Sequence, residues 1–291
     1  MRTFGIVIAL VVILSPLAAH GQEEAAAPPE LWRVEVEDGS VIVGSIAEED
    51  SSCVVVVTLS GLRTEIPRAT IISIERVHGK LVGKRLYRQD PNYTRLFFAP
   101  TGRALRQGEG YVADYWIFFP FVGTGVGGGI TLSGGLSLFP GASSQIFYLA
   151  PKLTLLENEN VSIAAGLIHF GVTGVNNGGG AGILYTVGTF GDPYRSFTAG
   201  LGWGYAGSDV GNRPVVMVGG DTQVSRGMKL LCEWWLPPGG DVSLLGFGAR
   251  MFGERLSWDF AFLSPVGVGM GGGFPFVPWL GVSYSFGARK S

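Results

Sequence analysis

Seven charged side chains stand out because the sequence around them carries almost no charge. Only 19 of the 181 residues from position 111 to the end are Asp, Glu, Lys or Arg, against 24 of the 89 residues from 22 to 110. Carboxylates and cations in apolar surroundings either pair with one another or line a path for ions. The candidate functional residues are Asp114, Lys152, Asp221, Lys229, Glu233, Arg250 and Asp259.

Nucleophilic catalysis is a second chemistry to consider, and it depends on His169, the one histidine after residue 110. A hydrolase of this kind needs a serine, the histidine and a third group that orients it. The neighbouring predicted strand instead offers Tyr185 and Thr189 as its outward polar groups. We therefore assign no catalytic residue, and a lipid-modifying enzyme that uses His169 is kept as an alternative.

Overall composition excludes several classes of protein. The 291 residues include 47 glycines, the net charge is −2, and the mean hydropathy is +0.32. A disordered chain needs low hydropathy and high net charge, and a nucleic-acid binder needs a basic surplus. Two cysteines supply neither a disulfide framework nor a zinc site, and the glycine-rich runs lack the Lys-Ser/Thr of a phosphate loop. We expect no metal and no cofactor.

The region after residue 110 alternates in side-chain character with a period of two, and it holds 37 of the 47 glycines. Only helices and closed barrels satisfy every backbone polar group in lipid, so the strand period favours a barrel. Apolar side chains then face lipid while small or polar ones face the lumen. The segment 256–262 illustrates this, with Leu256, Trp258, Phe260 and Phe262 opposed to Ser257, Asp259 and Ala261.

Twelve strands are predicted for this antiparallel transmembrane barrel. Their connections alternate between tight turns and longer glycine-rich loops, which places both chain ends on the short-turn, periplasmic side. The predicted strands are 93–99, 111–122, 129–138, 145–156, 161–172, 180–190, 196–206, 214–224, 229–237, 242–252, 256–266 and 275–287.

Alternation also predicts which way individual side chains point. All seven candidate charges fall on the face predicted to be inward, and Arg95 is expected to join them. Arg250 is expected opposite Asp259, and Asp221 near Lys229 or Glu233. The charges are interpreted either as an ion-pair network that fills the lumen or as a filter that lines a pore. An outward face is predicted for the aromatic residues Tyr111, Tyr115, Phe119, Phe121, Trp203, Tyr205, Trp234, Trp258, Tyr284 and Phe286.

The N-terminal part has the features of an exported soluble module. Residues 1–21 have a basic start, an apolar run too short to span a bilayer, and a small-residue cleavage site, which are typical of a signal peptide. Residues 22–30 are expected to be a flexible lead-in, 31–77 a small β domain, and 78–92 a basic linker. The barrel is then assigned to 93–287 and a tail to 288–291.

Residues 31–77 resemble the SH3-like or Sm-like small barrel, because five short strands with a glycine kink at Gly44 fit into about 47 residues. Such modules bind peptides, RNA or other domains. This one has no basic aromatic stripe, so nucleic acid is not expected, and the domain is interpreted as one used either for docking an unidentified periplasmic protein or for spacing.

Two further resemblances point to the Gram-negative outer membrane. Gly281, Tyr284 and Phe286 match the C-terminal signal that the outer-membrane assembly machinery recognises, although residues 287–291 extend beyond the usual terminal aromatic. The segment 94–111 resembles the opening of uncharacterised bacterial outer-membrane barrels.

The sequence therefore predicts an all-β protein: a twelve-stranded antiparallel transmembrane barrel in outer-membrane lipid, preceded by a periplasmic SH3/Sm-like domain. The expected role is non-enzymatic, either as a narrow passive channel or as a structural anchor. The alternatives are the lipid-modifying enzyme and a scaffold that anchors a periplasmic partner.

Overall fold

A computed structural model describes residues 30–77, 79–82, 85–174, 180–239, 242–267 and 276–287. The predicted signal peptide, most of the lead-in and the tail lie outside the described residues. Within the described residues, no helix combines the length and apolar character needed to cross a membrane.

The N-terminal region folds into a five-stranded antiparallel sheet. Its strands are β1 (Trp32–Val36), β2 (Val41–Glu49), β3 (Cys53–Thr58), β4 (Arg63–Pro67) and β5 (Ile71–Arg76). They lie in the order β4-β3-β2-β1-β5, and a 3₁₀ turn at Arg68–Thr70 joins β4 to β5. Val34, Val54, Val56 and Ile66 form the core. At Gly44 a Cβ would collide with the backbone of Val57, which explains why glycine occupies this bend.

A short hairpin follows, where the sequence suggested only a solvated basic linker. Strand β6 (Gly79–Val82) pairs with β7 (Arg85–Arg88) in an antiparallel register. The segment lacks strand alternation and carries Lys80, Lys84, Arg85 and Arg88, which is why it was predicted to be a linker.

The remaining strands close into a ring. They are β8 (Gly110–Tyr115), β9 (Phe119–Gly127), β10 (Ile130–Leu136), β11 (Ile146–Leu149), β12 (Lys152–Glu157), β13 (Val161–Val172), β14 (Ala181–Asp192), β15 (Arg195–Ala206), β16 (Asp209–Val210), β17 (Val215–Ser225), β18 (Met228–Leu236), β19 (Ser243–Phe252), β20 (Leu256–Val266) and β21 (Val277–Phe286).

Twelve strand positions make up this antiparallel barrel, as predicted. Strands β11 and β12 are one position interrupted at Ala150 and Pro151, because both pair with β10 on one side and β13 on the other. β16 pairs only with the end of β15. The last strand, β21, pairs with the first, β8, which closes the ring.

Two strand predictions were wrong, and their errors cancel in the count. Residues 93–99 are not a barrel strand, and 111–122 is two strands joined by the turn 116–118. Trp116 and Ile117 adopt positive φ angles of 50° and 70° in that turn. Bulky residues rarely do so, and no Gly, Asn or Asp marks the turn in the sequence.

The barrel is apolar outside and polar inside. In β20, Trp258 and Phe260 are 41% and 44% exposed, whereas Ser257 and Asp259 are 1% and 2% exposed. The outward face predicted for the aromatic residues of 111–122 is wrong. Tyr111, Tyr115 and Phe121 are buried inside the barrel rather than facing out.

Connections differ between the two ends of the barrel. At one end, five turns of two or three residues join consecutive strands, and both Gly110 and Phe286 lie there. We call this the short-turn mouth. At the other end, five connections are six to ten residues long, and the turn 116–118 is the short exception.

Candidate functional site in the barrel interior

The barrel interior is filled by the chain that precedes its first strand. Residues 90–105, which we call the plug, are buried almost throughout. The N–H of Leu96 donates to the carbonyl of Ala99 (2.8 Å), and the N–H of Thr101 donates to the carbonyl of Thr94 (3.0 Å). The plug is therefore a narrow loop with its tip at 96–99.

A chain of ion pairs joins the plug to the wall. Lys229 Nζ lies 2.8 Å from Asp221 and 3.6 Å from Asp90 of the plug. Asp90 also accepts a hydrogen bond from Arg250 Nη1 at 3.0 Å, and Arg250 Nε binds Asp259 at 2.6 Å. Charges of both signs are thus paired inside the barrel, which offsets the cost of removing them from water.

Arg250 contributes further bonds to the plug backbone. Its side chain is fully buried. Nη1 donates to the carbonyls of Asn92 (3.0 Å) and Arg95 (3.2 Å), and Nη2 donates to that of Leu96 (2.6 Å). The planar guanidinium suits this task because its donors form a rigid fork.

Glu233 holds the tip of the plug. One carboxylate oxygen accepts the backbone N–H groups of Phe97, Phe98 and Ala99 at 3.0–3.1 Å. Trp235 Nε1 donates to the other oxygen at 3.3 Å. Successive N–H groups that converge in this way form an anion-binding nest, and here the anion is a side chain of the wall.

On the opposite side, Lys152 donates to three plug carbonyls. Its Nζ lies 3.2 Å from the oxygen of Thr94, 2.8 Å from that of Thr101 and 2.7 Å from that of Arg103. Wall hydroxyls complete the interface. The N–H of Gly102 donates to Thr189 Oγ1 (2.9 Å), and Thr154 Oγ1 donates to the carbonyl of Gly102 (2.9 Å).

Aromatic side chains surround the tip of the plug and Arg95. Phe98 at the tip lies within 6.5 Å, ring centre to ring centre, of Tyr148, Phe170 and Trp235. Arg95 lies 5.2–5.6 Å from the ring centres of Tyr111, Tyr115 and Phe121, and also donates to Tyr115 Oη at 2.7 Å. The interior therefore combines the polar contacts of the plug with an aromatic lining.

Six of the seven candidate charges lie inside the barrel in contact with the plug or with each other: Lys152, Asp221, Lys229, Glu233, Arg250 and Asp259. Asp114 does not. It shares the outward alternation of Val112, and its carboxylate accepts the N–H of Phe119 at 3.2 Å beside the turn 116–118. Arg95 is buried, but on the plug rather than on a strand.

The sequence did not predict the plug. Leu96, Phe97 and Phe98 gave the segment an apolar, strand-like character, and a lumen-filling segment buries the same side chains that a strand would. One signal was available: the run between Pro91 and Pro100 is shorter than the roughly 9–11 residues that a transmembrane strand needs.

His169 lies on the outer face, whereas Tyr185 and Thr189, which were expected to face outward, lie on the inner face, where Thr189 binds the plug. His169 Nδ1 is 2.7 Å from Tyr205 Oη, a phenol rather than a serine or carboxylate, and the two rings stack at 6.0 Å. On the last strand, Tyr284 and Phe286 are exposed, while Gly281 packs against Tyr115. Among the described residues, no group of three or more His, Cys, Asp or Glu side chains could hold a metal ion.

Close packing of the plug gives a first test. A Cβ on Gly102 would collide with the carbonyl of Ser162 on the wall, whereas one on Gly204 would meet no atom closer than 3.8 Å. We expect Gly102→Ala to lower the free energy of unfolding by about 1–3 kcal/mol through overpacking. Gly204→Ala is the matched control and should not destabilise. Urea unfolding of the refolded protein measures both, and equal midpoints would contradict the packing described here.

Comparisons with known proteins were made by sequence and by structure. The sequence matches no protein-family model and no curated protein. A structure titled KdgM porin in complex with disordered oligogalacturonate has a TM-score of 0.46 at 10% identity, over 62% of this chain and 98% of that chain. The NanC porin has a TM-score of 0.40 at 6% identity, over 63% of this chain and 100% of that chain. A mutant Rh. blastica porin has a TM-score of 0.33 at 13% identity, over 88% and 98% of the two chains.

Proposed function

We propose that this protein is an outer-membrane β-barrel that is closed by its own chain and that holds a small SH3-like domain at its periplasmic mouth. The observation that carries the proposal is the plug, because it occupies the lumen that a passive channel would keep open. Its role is then structural and non-enzymatic: an anchor for the N-terminal domain.

Membrane insertion is supported by the inverted distribution of side chains. A soluble barrel would turn charges outward, whereas here Leu184, Phe197 and Trp258 are more than 40% exposed and Lys229 and Arg250 are buried. Among the described residues, β8 and β21 close the ring, which removes the free sheet edges that lipid would not tolerate. A closed barrel of this kind belongs in an outer membrane.

Orientation follows from the connections. Short turns are periplasmic in such barrels, so the short-turn mouth and the N-terminal domain are assigned to the periplasm. Arg33 of the domain lies 3.9 Å from Glu254 in one short turn, and the N–H of Arg88 donates to the carbonyl of Arg226 in another at 3.2 Å.

We also propose that Gly281, Tyr284 and Phe286 are the signal that the assembly machinery recognises. The exposure of Tyr284 and Phe286 on the last strand supports this.

The SH3-like assignment is supported by topology. The order β4-β3-β2-β1-β5, with the 3₁₀ turn between β4 and β5, matches a small barrel opened at one seam. We propose that this domain docks an unidentified periplasmic protein.

Catalysis at His169 is the less favoured alternative, because Nδ1 of its ring contacts the hydroxyl of Tyr205 rather than a serine or a carboxylate.

Conductance separates the closed anchor from the passive channel. Two voids between plug and wall measure about 60 and 10 Å³, room for only a few water molecules. We expect the refolded protein to insert into planar bilayers and stay closed at low voltage, while its gel mobility changes on heating as a folded barrel's does. Steady conductance from every insertion would contradict the proposal and favour an open channel.

A further inference from the structure

We propose that the plug is a gate. When the N-terminal domain is drawn away from the barrel, the plug leaves through the short-turn mouth, and the barrel conducts small hydrophilic solutes. This inference rests on the proposed function, since it presupposes a closed barrel in a membrane. It adds an activity, regulated conduction, that an anchor does not need.

The first argument is the path of the plug. Both of its ends lie at the short-turn mouth. Asn92, near the start, donates to Ser283 three residues from the end of β21. Near the other end, the N–H of Ala104 donates to Glu157, the last residue of β12, at 3.1 Å. The tip at 96–99 lies deeper, at Glu233. A loop inserted from one side can be withdrawn from that side without threading a chain end through the barrel.

The second argument is the chemistry of the interface. Lys152, Glu233 and Arg250 hold the plug mainly by hydrogen bonds to its backbone. Water can replace such bonds on both partners as the plug moves out. The plug also packs apolar side chains against the wall, and withdrawal breaks these contacts: Tyr93, Leu96, Phe97, Ala99 and Leu105.

The third argument is that the plug is incompletely bonded. Asn92 Oδ1, Arg95 Nε and Arg103 Nη1 are buried with no hydrogen-bond partner among the described residues. Each such atom carries an uncompensated loss of hydration in the inserted state, and withdrawal restores that hydration. The inserted plug is therefore less stable than it would be with every buried polar atom hydrogen-bonded.

The fourth argument is the connection to the N-terminal domain. The hairpin β6–β7 leads into the plug, and Arg88 at its end is bonded to the barrel through both its backbone N–H and its carbonyl, so a pull on the domain must break these two bonds before it reaches Asp90. Between the domain and the short turns, Arg33 and Glu254 are 3.9 Å apart, and a cleft of about 830 Å³ lies at the mouth. Room for movement and a short tether are what a mechanical gate requires.

The part of the wall that withdrawal of the plug would expose suggests which solutes the open barrel conducts. Three cations face three carboxylates, and glycines reduce side-chain bulk at several inward positions. With the charges balanced, we expect weak selectivity between cations and anions. The cations are Lys152, Lys229 and Arg250, and the carboxylates are Asp221, Glu233 and Asp259.

A reversible lock tests the gate in the full-length chain. Asn92→Cys and Ser283→Cys replace contacting side chains of plug and wall, in a Cys53→Ser, Cys232→Ser background that removes both natural thiols. Potassium chloride conductance is recorded in planar bilayers, with sub-denaturing urea added on the short-turn side to favour withdrawal. We expect openings under reducing conditions and about tenfold fewer after oxidation, because the disulfide excludes the withdrawn state. Reductant should restore them.

Controls keep the outcomes distinct. Asn92→Cys alone, which cannot form the lock, should open equally under both conditions. If the double variant does not fold, as judged by heat-modifiable mobility, Arg250→Met is used instead and should open more often than the natural chain. Equal opening of the oxidised and reduced lock overturns the gate. A folded, inserted protein that never opens in urea also overturns the gate but leaves the closed anchor standing, whereas steady conductance without urea overturns the closed anchor itself.

Discussion

Replacement of Arg250 by methionine should lower the free energy of unfolding by about 3–5 kcal/mol, the range expected when one partner of a buried ion pair is removed. Arg250 is fully buried and contacts two carboxylates, those of Asp90 and Asp259. Methionine fills similar space but supplies no donor, so both carboxylates and three plug carbonyls lose a partner.

Urea unfolding in detergent or vesicles provides the measurement. Arg213→Met is the matched control, because Arg213 lies exposed in a connection between strands and should change stability little. The double variant Arg250→Met, Asp259→Leu should recover part of the loss, since one unpaired carboxylate is then removed. A cost below about 1 kcal/mol for Arg250→Met would mean that the buried network does not support the fold.

Glu233→Leu should release the tip of the plug. The three N–H groups of Phe97, Phe98 and Ala99 would lose their acceptor in a buried place, at a cost of about 1–3 kcal/mol for each unsatisfied group. Glu233→Gln keeps an acceptor oxygen of similar reach and should cost less. We therefore expect amide hydrogen exchange at 97–99 to accelerate strongly in the leucine variant and only modestly in the glutamine variant.

Mass spectrometry of peptides that cover the plug measures this exchange. Glu159→Leu is the matched control, because Glu159 is exposed in a short turn and should leave exchange at 97–99 unchanged. Protection that persists in Glu233→Leu would show that the aromatic contacts of Phe98 with Tyr148, Phe170 and Trp235 suffice to hold the tip.

Strand alternation predicted much of the barrel because the two faces of a strand lie in different solvents. In β20 the alternation of Leu256 to Phe262 is regular, and the register places Arg250 opposite Asp259 as predicted. Alternation did not predict the first hairpin of the barrel correctly. No Gly, Asn or Asp marks the turn at Trp116 and Ile117. The rings of Tyr111, Tyr115 and Phe121 surround Arg95 of the plug instead of facing outward, so Asp114 lies on the outer face of β8.

The interior could be predicted only in part. Inward charges on one strand can be found from their apolar neighbours, as at Lys229 and Glu233. What those charges contact depends on a segment more than 100 residues away in the sequence, and no periodicity encodes that pairing. The short apolar run of the plug was predicted to be one of the twelve strands. The predicted number of strands was therefore right, although this segment is not a strand.

The plug also bears on how the ring can form. Closure requires β8 and β21, about 160 residues apart, to find each other, and the entropic cost of such a loop is large. The plug touches both sides of this seam, through Asn92 to Ser283 of β21 and through Arg95 to Tyr115 of β8. Because it is joined directly to β8, it carries a docking surface for the last strand to the first. The plug therefore holds the first and last strands side by side through its own bonds, in addition to the backbone hydrogen bonds of the seam.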